Sequence, residues 1–146
     1  MLIISHRGNL DGPDPELENN PEQINKVITL GFDCEIDVWR INNAFYLGHD
    51  APIHEVDIAF LDNEKFWIHA KNLAALSALK DFNFNVFYHN TDPYTLTSKK
   101  YIWTYPGENI DDKCIVVLRD KTLPNYKRIK GICTDYPLFF NKSGYE

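Results

Sequence analysis

Short apolar runs alternate with polar stretches along these 146 residues, and most of the runs end on an ionisable side chain. Leu2-Ile3-Ile4-Ser5 ends on His6, and Phe45-Tyr46-Leu47-Gly48 ends on His49. Phe66-Trp67-Ile68 ends on His69, and Val86-Phe87-Tyr88 ends on His89. Runs of this length, rich in aromatic and β-branched residues, predict buried strands. Strands are expected over 2–6, 33–40, 44–49, 65–70, 84–89, 99–104, 113–118 and 131–134. The run from Phe32 also carries Glu35 and Asp37, two positions apart. One polar group at a strand tip means little. The same placement on five strands lines one end of a sheet with imidazoles and carboxylates, where parallel sheets and barrels keep their chemistry.

Helical spacing is scarcer. Asn20 and Pro21 form a cap and first turn, and Ile24, Val27, Ile28 and Leu30 give an apolar face closed by Gly31. A second helix is expected from Asn72 to about Lys80, and a short third one near 123–129. Residues 8–20 read as a polar loop, and 51–64 as an acidic irregular segment with one helical turn. Ile41-Asn42-Asn43 is too short for a helical crossover, so 33–40 and 44–49 should form a hairpin that brings His49 beside Glu35 and Asp37.

Eight strands and three helices in one domain predict an α/β architecture. The expected form is a small TIM-type (β/α) barrel with about eight short strands and several outer helices missing, since a full barrel needs roughly 200 residues or more. An open α/β sheet is the alternative.

Composition narrows the class. Apolar residues at 44% suit a globular core, and aromatics at 14% predict large side chains within it. No apolar stretch reaches the length of a membrane span, and the N-terminus lacks a signal peptide's basic start and cleavage site. Cys34, Cys114 and Cys133 show no CxxC pairing and read as buried free thiols in a reducing compartment, so a cytoplasmic location is expected. The net charge of −6 argues against nonspecific nucleic-acid binding.

The candidate chemistry follows from spacing. Strand alternation turns Glu35 and Asp37 into one cavity, where a hard divalent cation would relieve their repulsion. Ca²⁺ or Mg²⁺ is expected ahead of Zn²⁺. His6 suits acid–base work near neutral pH, and Arg7 offers planar donors to a phosphate before the turn at Gly8. Asp50 can orient His49. His69-Ala70-Lys71 repeats the alternation, with Lys71 available to phosphate or to Glu35. His89 and Asp135 end strands in polar clusters of lower individual weight, and His54 reads as surface.

Four segments in order resemble the signature of the glycerophosphodiester phosphodiesterases, within the phosphatidylinositol-specific phospholipase C-like phosphodiesterase superfamily. They are Ile4-Ser5-His6-Arg7-Gly8, Glu18-Asn19-Asn20, Gly31-Phe32-Asp33-Cys34-Glu35-Ile36-Asp37-Val38 and Leu47-Gly48-His49-Asp50. Gly131-Ile132-Cys133-Thr134-Asp135-Tyr136-Pro137 is similar to the family's last strand. The resemblance implies a short, divergent TIM-barrel phosphodiesterase. It implies that His6 and His49 are catalytic, that Glu35 and Asp37 ligate metal, that Arg7 contacts phosphate, and that Glu18, the acidic residue following the first loop, joins Arg7 and Lys71 in substrate binding. The family's usual Glu-x-Lys reads His69-Ala70-Lys71 here, making His69 the third ligand candidate and Lys71 a phosphate contact.

The expected function is hydrolysis of a glycerophosphodiester-like or other small phosphodiester, with a divalent cation as cofactor. One rival is a reduced barrel that binds a phosphorylated small molecule or sugar phosphate without turnover. A second is a zinc hydrolase built on His6, His49 and His69.

Overall fold

The computed structural model describes residues 1–123 and 128–144. The chain runs β1 (Leu2–His6), α1 (Pro21–Thr29), β2 (Asp33–Ile41), β3 (Ala44–Leu47), β4 (His54–Val56), α2 (Ile58–Leu61) and β5 (Phe66–Ala70). It continues α3 (Leu73–Leu79), β6 (Asn85–Phe87), β7 (Tyr94–Leu96), β8 (Ile102–Thr104), β9 (Cys114–Leu118), β10 (Gly131–Thr134) and α4 (Pro137–Lys142). No helix among the described residues is long and apolar enough to cross a membrane.

Seven strands are parallel neighbours in the order β6, β5, β2, β1, β10, β9, β8. The rest of the sheet is antiparallel: β3 folds back on the far half of β2, β4 extends it, and β7 borders β8. Among the described residues the result is a mixed, curled sheet of ten strands with four short helices. This overturns the TIM-type barrel. Among the described residues no ladder joins β6 to β8, so the curl stays open there. Helices do not alternate with strands because the connections are spent otherwise. The segment after β2 goes largely into the β3–β4 ribbon, and residues 105–113 are too few for the usual helical crossover.

The two faces of the sheet pack separately. Ile36, Val38, Ile68 and Ala70 face outward and meet Ile24 and Val27 of α1 and Ala75 and Leu79 of α3. Asn20 caps α1 by accepting from the Glu22 and Gln23 N–H groups, as its sequence predicts. Under α4, Phe140 meets Val116, Leu118 and Ile132. The inward face carries Ile4, Trp67, Phe87, Trp103, Ile115, Val117 and Cys133. Trp103 sits 4.7 Å from the Phe87 ring and 5.9 Å from that of Trp67, so side chains fill the gap that no ladder closes.

Trp67 is 3% exposed, and its indole N–H donates to Asp33 at 3.0 Å. Trp67→Ala is expected to cost about 3–5 kcal/mol, the usual cost of removing a buried aromatic. Denaturant unfolding checks this, and a loss under about 1 kcal/mol would mean that the interior is not packed as described.

Candidate active site

Inward positions recur every second residue, so the layer beyond the apolar interior is set by sequence. Ile4 points in, hence His6 does. Asp33 is followed by Glu35 and Asp37, Trp67 by His69 and Lys71, Phe87 by His89, Trp103 by Tyr105 and Cys133 by Asp135. Register puts these groups at one level: His6 lies opposite Glu35, and Asp37 opposite His69. The carboxyl end of the parallel sheet is therefore a rim of polar side chains.

Its centre is Glu35, Asp37 and His69. One ligand atom from each lies within 4.8 Å of the others. His69 Nδ1 is 3.3 Å from Asp37 Oδ1 and 3.8 Å from Glu35 Oε1. His69 Nε2 stands 2.9 Å from the His89 carbonyl oxygen. A carbonyl only accepts, so Nε2 carries a hydrogen and Nδ1 is the nitrogen turned to the carboxylates. Metal-ligating histidines use the same arrangement, fixing the tautomer through the outer nitrogen. Asp37 Oδ1 is buried and accepts no hydrogen bond, with Lys71 Nζ 3.8 Å away. An orphaned buried oxygen with an imidazole nitrogen turned to it fits a divalent cation.

The electrostatics agree with that fit. Burial, then the charge of Asp37, pushes the Glu35 carboxyl well above the usual range, with Arg7 and Lys71 offsetting only part. Burial would raise Asp37 too, but the N–H and charge that His69 presents when its Nδ1 is protonated, with Asn19 and Arg7, outweigh it and hold the carboxyl down to about 2; a bound cation would take the place of that proton. Two buried acids side by side thus settle into one that keeps its proton and one that loses it.

Arg7 and Asn19 both sit in the left-handed region, each with φ of 57°. The twist at Arg7 lets its backbone N–H meet Glu35 at the carbonyl, 3.1 Å away, and at Oε2, 3.2 Å away. Its guanidinium lies between Glu18, 3.3 Å from Nη1, and Asp37, 3.5 Å from Nε. Burial works against that charge, and Glu35, Asp37 and Glu18 outweigh it, so the guanidinium holds its proton more tightly than usual. Asn19 clamps Asp37 from both sides, donating to Oδ2 and accepting from the Asp37 N–H, each at 2.9 Å.

His6 faces the acidic centre from β1. Its Nδ1 donates to Asp135 Oδ1 at 2.8 Å, which leaves Nε2 4.0 Å from Glu35 Oε2. Burial raises the Asp135 carboxyl, but His6 and Asn9 more than reverse it and hold it low. Asn9 Nδ2 donates both to Asp135 at 2.7 Å and to Glu18 at 2.9 Å, tying the first loop to the last strand.

The structure thus brings together His6, Arg7, Glu18, Glu35, Asp37, His69 and Lys71. His49 stands apart. The hairpin forms, and the Gly48 N–H donates to the Asp37 carbonyl at 3.2 Å, so the loop is anchored on the rim. The His49 ring, however, bonds Asp50 at 2.7 Å, and among the described residues it makes no contact with Glu35 or Asp37. The expected closeness therefore stops at the backbone. The three-histidine zinc arrangement does not form either: only Glu35, Asp37 and His69 converge as metal-capable groups among the described residues. Asp135, Asn9 and Asn19 join the site as positioning residues that spacing alone undervalued.

No protein-family model, curated protein or solved structure matches this chain.

Gly48 shows how tightly the His49 loop is set. Its φ is +156°, and an added Cβ would stand 1.9 Å from the Ala51 carbonyl oxygen. Its own carbonyl accepts the Trp39 indole N–H at 2.6 Å. Gly48→Ala is expected to cost about 1–3 kcal/mol of stability by forcing this turn open. Thermal unfolding beside the parent checks it, and an unchanged midpoint would count against the turn geometry.

Proposed function

We propose that this protein is a divalent-cation-dependent phosphodiesterase acting on a small phosphodiester of the glycerophosphodiester kind. The observation that carries the reading is the facing of two unlike devices across 4.0 Å: an imidazole oriented by a carboxylate, and a buried set of Glu35, Asp37 and His69. A pure binding site needs the second and has no use for the first. The ordered motifs that resemble glycerophosphodiester phosphodiesterases support the same reading.

Glu35, Asp37 and His69 would hold the cation, which when bound supplies positive charge against the phosphoryl oxygens. Two carboxylates favour Mg²⁺ or Ca²⁺, while the imidazole keeps Zn²⁺ in the comparison. Arg7 and Lys71 present donors to the non-bridging oxygens, with Glu18 and Asp37 steering the guanidinium. His6, its Nδ1–H held by Asp135, offers Nε2 to the proton of the attacking oxygen, from water or a neighbouring hydroxyl of the substrate. That oxygen forms the new bond to phosphorus as the ester bond to the alcohol breaks. The departing alkoxide takes a proton from the second acid–base group, His49 on the rim loop. The net charge of −6 disfavours nucleic-acid polymers as substrates, and three buried unpaired cysteines fit a reducing, cytoplasmic setting.

A panel of small phosphodiesters, assayed with chelator and with added Mg²⁺, Ca²⁺ or Zn²⁺, tests this. Turnover that chelation removes and a cation restores is expected. A protein inert toward the whole panel with every cation, yet binding phosphorylated ligands, would be a binding module instead. The substitution of His69 for a carboxylate favours that second reading.

A further inference from the structure

Just past the end of β9 stands an arginine that the reading above does not use. Val117 of β9 faces inward with Trp67 and Trp103, and the next position on that face is Arg119. Leu118 lies opposite Thr134 in the β9–β10 ladder, so Arg119 falls one step further, level with Asp135. Among the described residues Arg119 forms no ion pair or hydrogen bond. The acids near it are engaged elsewhere: Asp120 accepts from the Thr122 N–H at 2.8 Å, and Asp135 is taken by His6 and Asn9. Arg119 is exposed in the bend that follows β9, so its guanidinium is available to an anionic partner on a strongly acidic chain.

Arg119 also borders a cavity of about 520 Å³, with Pro106, Val117 and Leu118 as its apolar wall, Tyr105 at its edge, and Asp120, whose carboxylate accepts from the Thr122 N–H, in the same lining. Tyr105 ties that cavity to the centre. Its ring stacks on His89 at 5.1 Å and its hydroxyl meets His89 Nδ1 at 3.2 Å, while the His89 carbonyl orients His69. The His89 Nε2 is engaged by the Asp92 carbonyl, so Nδ1 is the acceptor and the phenol donates to it. The phenol oxygen then keeps its lone pairs beside Arg119, whose charge it feels together with those of Glu35 and Arg7.

We propose that Arg119 is an anion-recognising subsite, and that the alcohol part of the ligand bears a second anionic group. The carbon chain would lie on Pro106, Val117 and Leu118, with one charged end at the Glu35–Asp37 centre and the other at Arg119. This deepens the phosphoester reading of the site and rests on it.

Calorimetry on the full chain with Mg²⁺ present tests it with three probes. Glycerol 3-phosphate has a neutral far end, 3-phosphoglycerate a carboxylate, and propane-1,3-diol bisphosphate a second phosphate. The parent is expected to bind at least one of the two doubly anionic probes about ten-fold or more tighter than glycerol 3-phosphate, the size of a charge-assisted bond. Which one it prefers distinguishes carboxylate from phosphate. Arg119→Gln should bring the affinities together, and Arg119→Lys should keep part of the preference. Equal affinities in the parent, a preference that survives Arg119→Gln, or no binding of any probe would each overturn the subsite. Turnover of the diester panel judges the enzyme reading separately. Turnover without an Arg119-dependent preference removes only the subsite, and such a preference without turnover removes only catalysis.

Discussion

Glu35→Gln and Asp37→Asn should each cut divalent-cation affinity on the order of 100-fold or more, while the apo fold survives. The two acids share an inward face, and with His69 they form the only convergent metal-capable set among the described residues. Each supplies an anionic oxygen that an amide replaces with a weaker, neutral one. The fold should tolerate Glu35→Gln because that charge is a burden without a cation: Glu35 holds its proton above the usual range. Replacing a buried, repelled carboxyl with an amide of the same shape removes repulsion and keeps the volume. Asp37→Asn instead gives up a charge that His69, Asn19 and Arg7 favour, so it should lose some stability while keeping the fold. In the parent, a cation at a hundred times its dissociation constant adds about 2.7 kcal/mol of stability. For a chain of this size that is roughly 5–10 °C in Tm, and neither variant should show the shift. The sign with pH follows from Glu35. At low pH its proton competes with the cation, so affinity should climb as pH rises through its elevated titration range. Calorimetry that finds parent-like affinity in both variants would remove the metal centre.

The sequence carried more of the site than of the topology. Strand alternation needs only neighbouring residues, so the inward facing of Glu35 with Asp37, and of His69 with Lys71, could be read directly. The strand ends at His6 and His69 were equally local. What could not be read was any partnership set by pairing at a distance. His6 and Asp135 meet from 129 positions apart, because β1 lies beside β10. Nothing near Asp135 marks it as more than a polar strand end. Asn19 looked like part of a loop signature, and only the left-handed turn there aims its amide at Asp37. The strands β4 and β7 are three residues each and borrow their stability from longer neighbours, which periodicity does not register. The helix α4 is six residues long and begins at Pro137, too short for a helical period to show in the sequence. The expected helix near 123–129 falls largely outside the described residues. The barrel failed for a related reason: strand count says nothing about whether first and last neighbours close a ladder, and here aromatic packing takes that place.

His6→Ala should lower turnover by roughly 10²–10⁴-fold, the usual worth of a positioned acid–base group. Asp135→Asn separates orientation from chemistry. The amide can still accept the Nδ1–H, but it no longer carries the charge that stabilises an imidazolium, and it can instead donate and so favour the other tautomer. That would put the hydrogen on Nε2, facing Glu35, where the base should be. The loss in Asp135→Asn should therefore approach that of His6→Ala, although the aspartate touches no substrate. In the double variant the losses should not multiply, because the pair acts as one unit. Asp135 is held low in the fold by His6 and Asn9, so its charge persists as pH falls below the ordinary carboxylate range. The acid limb of the rate profile should then not come from Asp135. Affinity for a phosphorylated ligand should fall far less than kcat in either single variant, since Nε2 is used in the transition state more than in ground-state binding. If both variants keep parental turnover and lose only affinity, His6 serves binding, and the acid–base role passes from this pair altogether.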